Sequence, residues 1–94
     1  MDICKVTFSK KGLKSLDKKP KNIIEKLFYW IDLVKHEGVR ESRKVKSFHD
    51  EPLKGNRKGQ RSIRLNKQYR AIYIEKANGD YEFIEIQEVN AHEY

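Results

Sequence analysis

The sequence predicts an α+β fold, in which two N-terminal helices pack on one face of a small antiparallel sheet of about four strands. Three observations lead to this class. The 94 residues suffice for one domain, residues 1–94, with one modest core. A long apolar stripe of helical period lies in the first half, and three strand-like segments follow in the second. A strand, two helices and a three-stranded meander are typical of α+β domains.

The first element is predicted to be a half-buried strand over residues 3–8. Its apolar residues alternate, with Cys4, Val6 and Phe8 on one face, and we expect the strand to join an edge of the sheet. Cys4 is the only cysteine, and its place in the alternation predicts a buried small hydrophobic residue. A single cysteine also excludes an intramolecular disulfide and a cysteine-based metal site.

Two helices are predicted next. The short one is capped by Ser9, covers residues 12–16 and ends before Pro20. The long one covers residues 22–37 and stops at Gly38. Its stripe consists of Ile23, Leu27, Trp30, Ile31 and Val34, widened by Ile24, Phe28 and Tyr29. We interpret this stripe as the main core face rather than as a surface that binds a partner.

The sequence leaves the structure of residues 39–50 open. The segment is compatible with an extension of the long helix at its start, and it is predicted to become a loop by residues 49–52. Three strands follow, over residues 60–65, 69–75 and 81–89. The middle strand is apolar on both faces, which is expected of a central strand.

The Asn-Gly dipeptide at 78–79 predicts a two-residue hairpin turn between the last two strands. That turn pairs Tyr73 with Ile84 and Ala71 with Ile86.

Charge is distributed unevenly along the chain, whose formal net charge is +7. Lys and Arg outnumber Asp and Glu by 13 to 8 in residues 1–52 and by seven to none in residues 53–70, but are outnumbered by six to one in residues 71–94. A local cationic block predicts a polyanionic partner, nucleic acid first and an anionic membrane surface second. Since no apolar run reaches membrane-spanning length, we expect a soluble cytoplasmic protein.

The cationic block carries two glycines, Gly55 and Gly59, where the backbone must turn or approach another group closely. Its cations are Lys54, Arg57, Lys58, Arg61, Arg64, Lys67 and Arg70. We interpret the block as a phosphate-binding surface, and the alternative is a solvated basic face.

The relative position of two of these cations, Arg64 and Arg70, depends on the length of one loop. If the loop is the three residues 66–68, Arg64 lies directly opposite Arg70, and the two guanidiniums repel each other unless an anion sits between them. A longer loop with an even count separates them, and the sequence leaves both arrangements open.

The residues that can carry chemistry are few. His36, His49 and His92 are not spaced as a metal-ligand set, and no phosphate-loop or dinucleotide motif is present, so we expect no metal and no cofactor. What remains is metal-free acid–base chemistry on a phosphate. Glu51 and His92 can exchange protons, arginines act as fixed charges, and Tyr94 can stack or hydrogen-bond.

Four stretches together carry a family resemblance. They are Glu-Pro-Leu-Lys-Gly at 51–55, Gly-Gln-Arg-Ser-Ile-Arg at 59–64, Tyr-Arg-Ala-Ile-Tyr at 69–73 and Val-Asn-Ala-His-Glu-Tyr at 89–94. With them the chain resembles the RelE superfamily of toxins from bacterial type II toxin–antitoxin systems, in its HigB-like and YoeB-like branches. The order of elements matches along nearly the whole chain, although the first half matches only in pattern.

The resemblance implies a ribosome-dependent endoribonuclease that cuts messenger RNA and leaves a cyclic phosphate. It implies that Glu51 is the general base and that Arg64 stabilises the phosphate. By the same resemblance, Arg70 matches the arginine at the start of the central strand, His92 the C-terminal histidine and Tyr94 the terminal aromatic residue. We assign the general-acid role to His92 and expect Arg70 to face the phosphate with Arg64. RNA backbone contacts are expected from Lys54, Arg57, Lys58, Arg61 and Lys67. The expected partners are a cognate antitoxin and messenger RNA on the ribosome, with contacts to ribosomal RNA, and neither a membrane nor a small-molecule cofactor.

One departure from the family pattern bears on these roles. The YoeB-like ending has adjacent histidine and tyrosine, whereas here Glu93 separates His92 from Tyr94, so the acid and base roles of His92 and Glu51 are reversible. Two alternatives have different activities. A ParE-like inhibitor of DNA gyrase has the same fold without a nuclease site, and a non-catalytic RNA-binding module needs only the basic stretch.

Overall fold

The structure is a computed structural model that describes residues 2–79 and 81–91. Within them, one mixed sheet has the strand order β1-β5-β4-β3-β2. Its strands are β1 (Val6–Phe8), β2 (Glu51–Pro52), β3 (Gln60–Arg64), β4 (Tyr69–Asn78) and β5 (Tyr81–Ala91). The α-helices are α1 (Lys10–Lys14), α2 (Lys21–Glu37) and α3 (Val39–Ser42), and single 3₁₀ turns cover Lys46–Phe48 and Gly55–Arg57.

The α+β class and the antiparallel meander of β3, β4 and β5 are confirmed, but two details of the predicted architecture are wrong. The sheet has five strands instead of about four, and it is mixed because β1 joins the edge parallel to β5. Three helices replace the predicted two. Helix α3 lies at the start of the segment that the sequence left open, and β2 occupies two residues that were expected to be a loop. The two elements span only four and two residues, too few to show a period.

Helix α2 supplies most of one side of the core, as its stripe predicts. All five stripe residues are buried against the sheet, and the ring of Trp30 lies 5.1 Å from that of Tyr73. Gly38 ends the helix with φ of +91°. Phe28 and Tyr29, which were expected to widen the buried stripe, are exposed. No helix in the described ranges has the length and apolar character needed to cross a membrane.

The predicted burial of Cys4 is wrong, because Cys4 is exposed and Ile3 is buried. The segment before β1 is tied to the start of α3. The carbonyl of Ile3 accepts from the Val39 N–H at 2.8 Å, and the Asp2 carboxylate accepts from the N–H groups of Ile3 and Arg40. This anchoring turns Ile3 inward, and regular strand structure starts only three residues later.

The predicted register of the last hairpin is also wrong. Tyr73 pairs with Ile86 instead of Ile84, and Ala71 pairs with Val89 instead of Ile86.

Two local features cause this shift. Both strands continue until Asn78 pairs with Tyr81, so the turn begins one residue later than the Asn-Gly dipeptide predicts. A bulge in β5 then leaves Gln87 without a register partner, between Ile86 and Glu88. Bulges bend a strand and increase its twist.

Helix α1 packs on β5 beside this bulge. The N–H of Ser9 donates to the Ile86 carbonyl at 3.0 Å, and the Ser15 hydroxyl accepts from the Val89 N–H at 2.9 Å. As predicted, the Ser9 side chain caps the helix, where it accepts from the Gly12 N–H. A Cβ added to Gly12 would lie 2.1 Å from the Ile86 carbonyl oxygen, so the helix lies this close only because this residue has no side chain.

We therefore predict that Gly12→Ala destabilises the protein by about 2 kcal/mol, because the added methyl group overpacks the contact with β5. In an unobstructed helix the same change would stabilise by up to about 1 kcal/mol through helix propensity. Urea unfolding followed by circular dichroism measures the difference. Lys14→Ala, on the exposed side of the same helix, is the control and should change stability by less than about 0.5 kcal/mol. A stabilised Gly12→Ala variant would contradict the packing described for α1.

Candidate active site

Two arginines face each other across the sheet. Arg64 of β3 and Arg70 of β4 are register partners, so the structure adopts the first of the two arrangements left open by the sequence. The turn between them is held by Asn66, whose Oδ1 accepts from the Gln68 and Tyr69 N–H groups, both at 2.7 Å. We call this pair the arginine rung. Because like charges directly opposite repel, its geometry favours an anion between the two guanidiniums.

The rung continues onto β5 and has a polar neighbour on the same face. Asn90 pairs with Arg70 and accepts a hydrogen bond from its Nε at 3.3 Å. Residues two apart along a strand point to the same side, so the next rung shares this face. That rung consists of Glu51, Ser62, Ile72 and Glu88.

Four of the predicted site residues line one recess on this face. They are Glu51, Arg64, Lys67 and Arg70, joined by His49 and Tyr69. We call it the site recess. It brings a carboxylate, an imidazole and three cations together. Glu51, Arg64 and Arg70 lie on strands, which hold side chains more firmly than loops do.

His49 is a site residue that sequence reasoning missed. Its Nε2 lies 3.3 Å from Oε2 of Glu51, and both side chains are about half exposed, at 55% and 51%. The backbone of His49 is left-handed, with φ of +45°, which is uncommon for a residue other than glycine. The signal in the sequence was a histidine two positions before a glutamate, His49 and Glu51.

Asp50 anchors the segment that carries His49 and Glu51. Its fully buried side chain accepts from Nε of Arg61 at 2.7 Å and from the hydroxyl of Tyr73 at 2.6 Å. Burial, together with the neighbouring Asp50 charge, raises the pKa of Tyr73, so the phenol remains a hydrogen-bond donor. The carboxylate therefore fixes the backbone between the two acid–base residues of the recess.

The other predicted RNA-binding residues lie outside the site recess. Arg61 is engaged with Asp50, and Arg57 donates to Gln60 at 3.0 Å and to Glu88 at 3.2 Å. Lys54 and Lys58 are exposed on the connection between β2 and β3. Their contacts with RNA stay a prediction.

Glu88 is a second residue that sequence reasoning missed. Its side chain is only 10% exposed, and it accepts from Lys11 at 3.0 Å, Arg57 at 3.2 Å and the Asn90 amide at 2.5 Å. Burial by itself would raise the pKa of Glu88, but the hydrogen bond from Lys11 and the positive charges of Arg57 and Lys11 hold it below its ordinary value. The group is therefore an ionised carboxylate on the rung next to the arginine rung.

Two predicted site residues, His92 and Tyr94, lie outside the described residues. Ala91, the residue before His92, pairs with Tyr69, which lines the site recess. Ala91 also lines a second small recess with Arg57, Arg70 and Asn90.

No protein-family model matches the sequence, and no curated protein sequence is significantly similar to it. Solved structures do match. The YoeB/ParE toxin from Agrobacterium tumefaciens superposes with a TM-score of 0.71 at 20% identity, over 95% of this chain and 99% of that chain. YafQ from Escherichia coli gives 0.73 at 18% identity, over 93% and 91%. The E. coli DinJ–YafQ toxin–antitoxin complex gives 0.67 at 21% identity, over 96% and 94%.

The chain has the RelE-superfamily fold. The resemblance inferred from the sequence is thereby confirmed for the fold and for nearly the whole chain. At identities of 18–21% the likeness establishes the RelE-type architecture and leaves the reaction to the chemistry of the recess.

We predict that Asp50→Ala destabilises the protein by about 3–5 kcal/mol, because it removes one partner of a buried ion pair and leaves Arg61 and the Tyr73 hydroxyl without their acceptor. Thermal and urea unfolding measure the loss. Glu51→Ala, at the exposed neighbouring position, is the matched control and should change stability by less than about 0.5 kcal/mol. Equal effects of the two substitutions would show that Asp50 does not anchor this segment.

Proposed function

We propose that the protein is the toxin of a toxin–antitoxin system and a ribosome-dependent, metal-independent endoribonuclease that cleaves messenger RNA and so inhibits translation. The observation that carries this proposal is the arginine rung in one recess with the paired side chains of His49 and Glu51. The recess combines fixed cations with groups that exchange protons, which is what metal-free cleavage at a phosphate requires.

The arginine rung would hold the scissile phosphate. Guanidiniums stay protonated at all relevant pH values and offer paired N–H donors that match phosphate oxygens. As the phosphorus becomes five-coordinate, negative charge grows on its equatorial oxygens. Cations already held in place stabilise that charge more than mobile solvent does. Lys67 at the rim of the recess adds a third cation.

Proton transfer would begin at the ribose. Glu51 takes the proton of the 2′-hydroxyl, O2′ attacks phosphorus, and the bond from phosphorus to O5′ breaks. His92 donates a proton to O5′, which leaves a 2′,3′-cyclic phosphate and a free 5′-hydroxyl. His49, 3.3 Å from Glu51, orients that carboxylate, and Tyr94 stacks on a base. The roles of Glu51 and His92 are reversible in this scheme, since both are acid–base groups.

The remaining cations would bind RNA outside the reacting phosphate. We assign four cations to the backbones of messenger and ribosomal RNA: the exposed Lys54 and Lys58, Arg57 of the 3₁₀ turn and Arg61 of β3. Phosphate contacts of this kind make affinity fall steeply with salt concentration. Because the proposed substrate is translated messenger RNA, we place the protein in the cytoplasm.

We also propose a cognate antitoxin as partner. E. coli YafQ, which shares the fold, was solved in a toxin–antitoxin complex with DinJ. The cationic face of this chain suits an acidic segment as well as RNA, since both present negative charge to the same arginines.

The test is expression of the wild type and of three variants, Glu51→Ala, Arg64→Ala and His92→Ala. The wild type should arrest growth and cut messenger RNA only when ribosomes are present. Each variant should lose cleavage by about 100-fold or more, the usual effect of removing an electrostatic or acid–base group, while it keeps the fold by circular dichroism. Arg40→Ala, an exposed arginine on α3, is the charge-matched control and should cleave normally.

Three outcomes would contradict the proposal. Loss of DNA supercoiling with intact messenger RNA would indicate gyrase inhibition, as in ParE-like proteins. Binding of RNA without cleavage would indicate a non-catalytic RNA-binding module. Full nuclease activity in all three variants would show that the recess is not the active site.

A further inference from the structure

We propose that Glu88 is a positioning residue of the nuclease site, which fixes Arg70 through Asn90 and fixes Arg57 directly. The inference rests on the proposed function for its catalytic consequence, and on the contacts of the sheet face for its structural part. It adds to the site a carboxylate that touches neither the substrate nor the reacting atoms.

The chain of contacts runs from Glu88 to the arginine rung in two steps. Nδ2 of Asn90 donates to Oε1 of Glu88 at 2.5 Å, and Oδ1 of Asn90 accepts from Nε of Arg70 at 3.3 Å. An ionised carboxylate only accepts hydrogen bonds. Glu88 therefore selects the orientation of the Asn90 amide, with its NH₂ group toward the carboxylate and its oxygen toward Arg70.

Both oxygens of Glu88 are occupied, which keeps the carboxylate in place. Oε1 also accepts from Nη2 of Arg57 at 3.2 Å, and Oε2 pairs with Nζ of Lys11 at 3.0 Å. The residue is 8% exposed. Its lowered pKa agrees with a group that stays ionised among cations and acts as a fixed acceptor near neutral pH.

The position of Arg70 matters because Arg64 faces it. Without an anion, repulsion within the arginine rung favours rotation of one guanidinium away from the site recess. The hydrogen bond from Nε of Arg70 to Oδ1 of Asn90 opposes that rotation. It leaves the two terminal nitrogens of Arg70 to bind phosphate. Catalytic cations have their full effect only when they are held before the reaction starts.

The expected kinetic effect is a lower maximal rate at nearly unchanged affinity. Misplacement of a catalytic group by about 1 Å can reduce the rate about 100-fold. We therefore expect Glu88→Ala, Glu88→Gln and Asn90→Ala to reduce the maximal rate by about tenfold to 100-fold, while the enzyme concentration that gives half of that rate changes by less than about threefold. A merely structural role would leave the rate of the folded fraction unchanged.

Single-turnover cleavage on programmed ribosomes, measured over a range of enzyme concentrations, separates these quantities. Glu85→Gln is the matched control. Glu85 is a carboxylate on the same strand, it does not line the site recess, and its Oε1 lies 3.4 Å from Nζ of Lys76. It should cleave at the wild-type rate. The double variant Glu88→Ala/Asn90→Ala should be no slower than the slower single variant, since residues acting in one chain are non-additive. Wild-type rates in the single variants, or multiplied losses in the double variant, would overturn the proposal.

A second measurement does not depend on nuclease activity. In ¹H–¹⁵N spectra, the Nε–Hε resonance of Arg70 should shift or broaden in Glu88→Gln and Glu88→Ala, although Glu88 does not contact Arg70, and should stay unchanged in Glu85→Gln. An Arg70 Nε–Hε resonance with the same position and line width in both Glu88 variants as in the wild type would overturn the inference. If the wild type cleaves no RNA, the proposed function fails, and this spectrum still decides whether Glu88 positions Arg70.

Discussion

The repulsion within the arginine rung is the constraint on which the rest of the site depends. Two guanidiniums on one rung of a sheet destabilise the folded protein unless negative charge lies between or beside them. The turn that imposes this pairing is fixed by Asn66, whose side chain satisfies two backbone N–H groups. A structure that holds this pair in place is suited to accept a phosphate, and the neighbouring carboxylate and imidazole are groups that can exchange protons.

The supports of the site lie just outside the recess. Asp50 is buried between His49 and Glu51 and ties their segment to Arg61 of the sheet. We propose a similar part for Glu88, which lies on the next rung and contacts Asn90 and Arg57. Two buried carboxylates therefore hold the groups that exchange protons and the groups that carry positive charge. Arrangements of this kind sacrifice some stability for a preorganised site.

The sequence could predict what depends on local pattern. Helix α2 followed from its apolar period, and the cationic block and the residues of the rung were visible directly. The predicted hairpin register was wrong because strand pairing extends through Asn78 and a bulge interrupts β5. Both features depend on tertiary packing. The approach of His49 to Glu51 depends on a left-handed residue and a two-residue strand, neither of which leaves a periodic signal.

The most direct test is to locate the residues that bind an RNA phosphate. A dinucleotide that lacks the attacking 2′-hydroxyl cannot be cleaved and can be titrated into ¹⁵N-labelled protein. If the arginine rung binds phosphate, the largest, saturable shifts occur at the Nε–Hε resonances of Arg64 and Arg70, and Arg64→Ala abolishes the shift at Arg70. Shifts concentrated on the exposed lysines of α1, with Arg64 and Arg70 unchanged, would contradict phosphate binding by the rung.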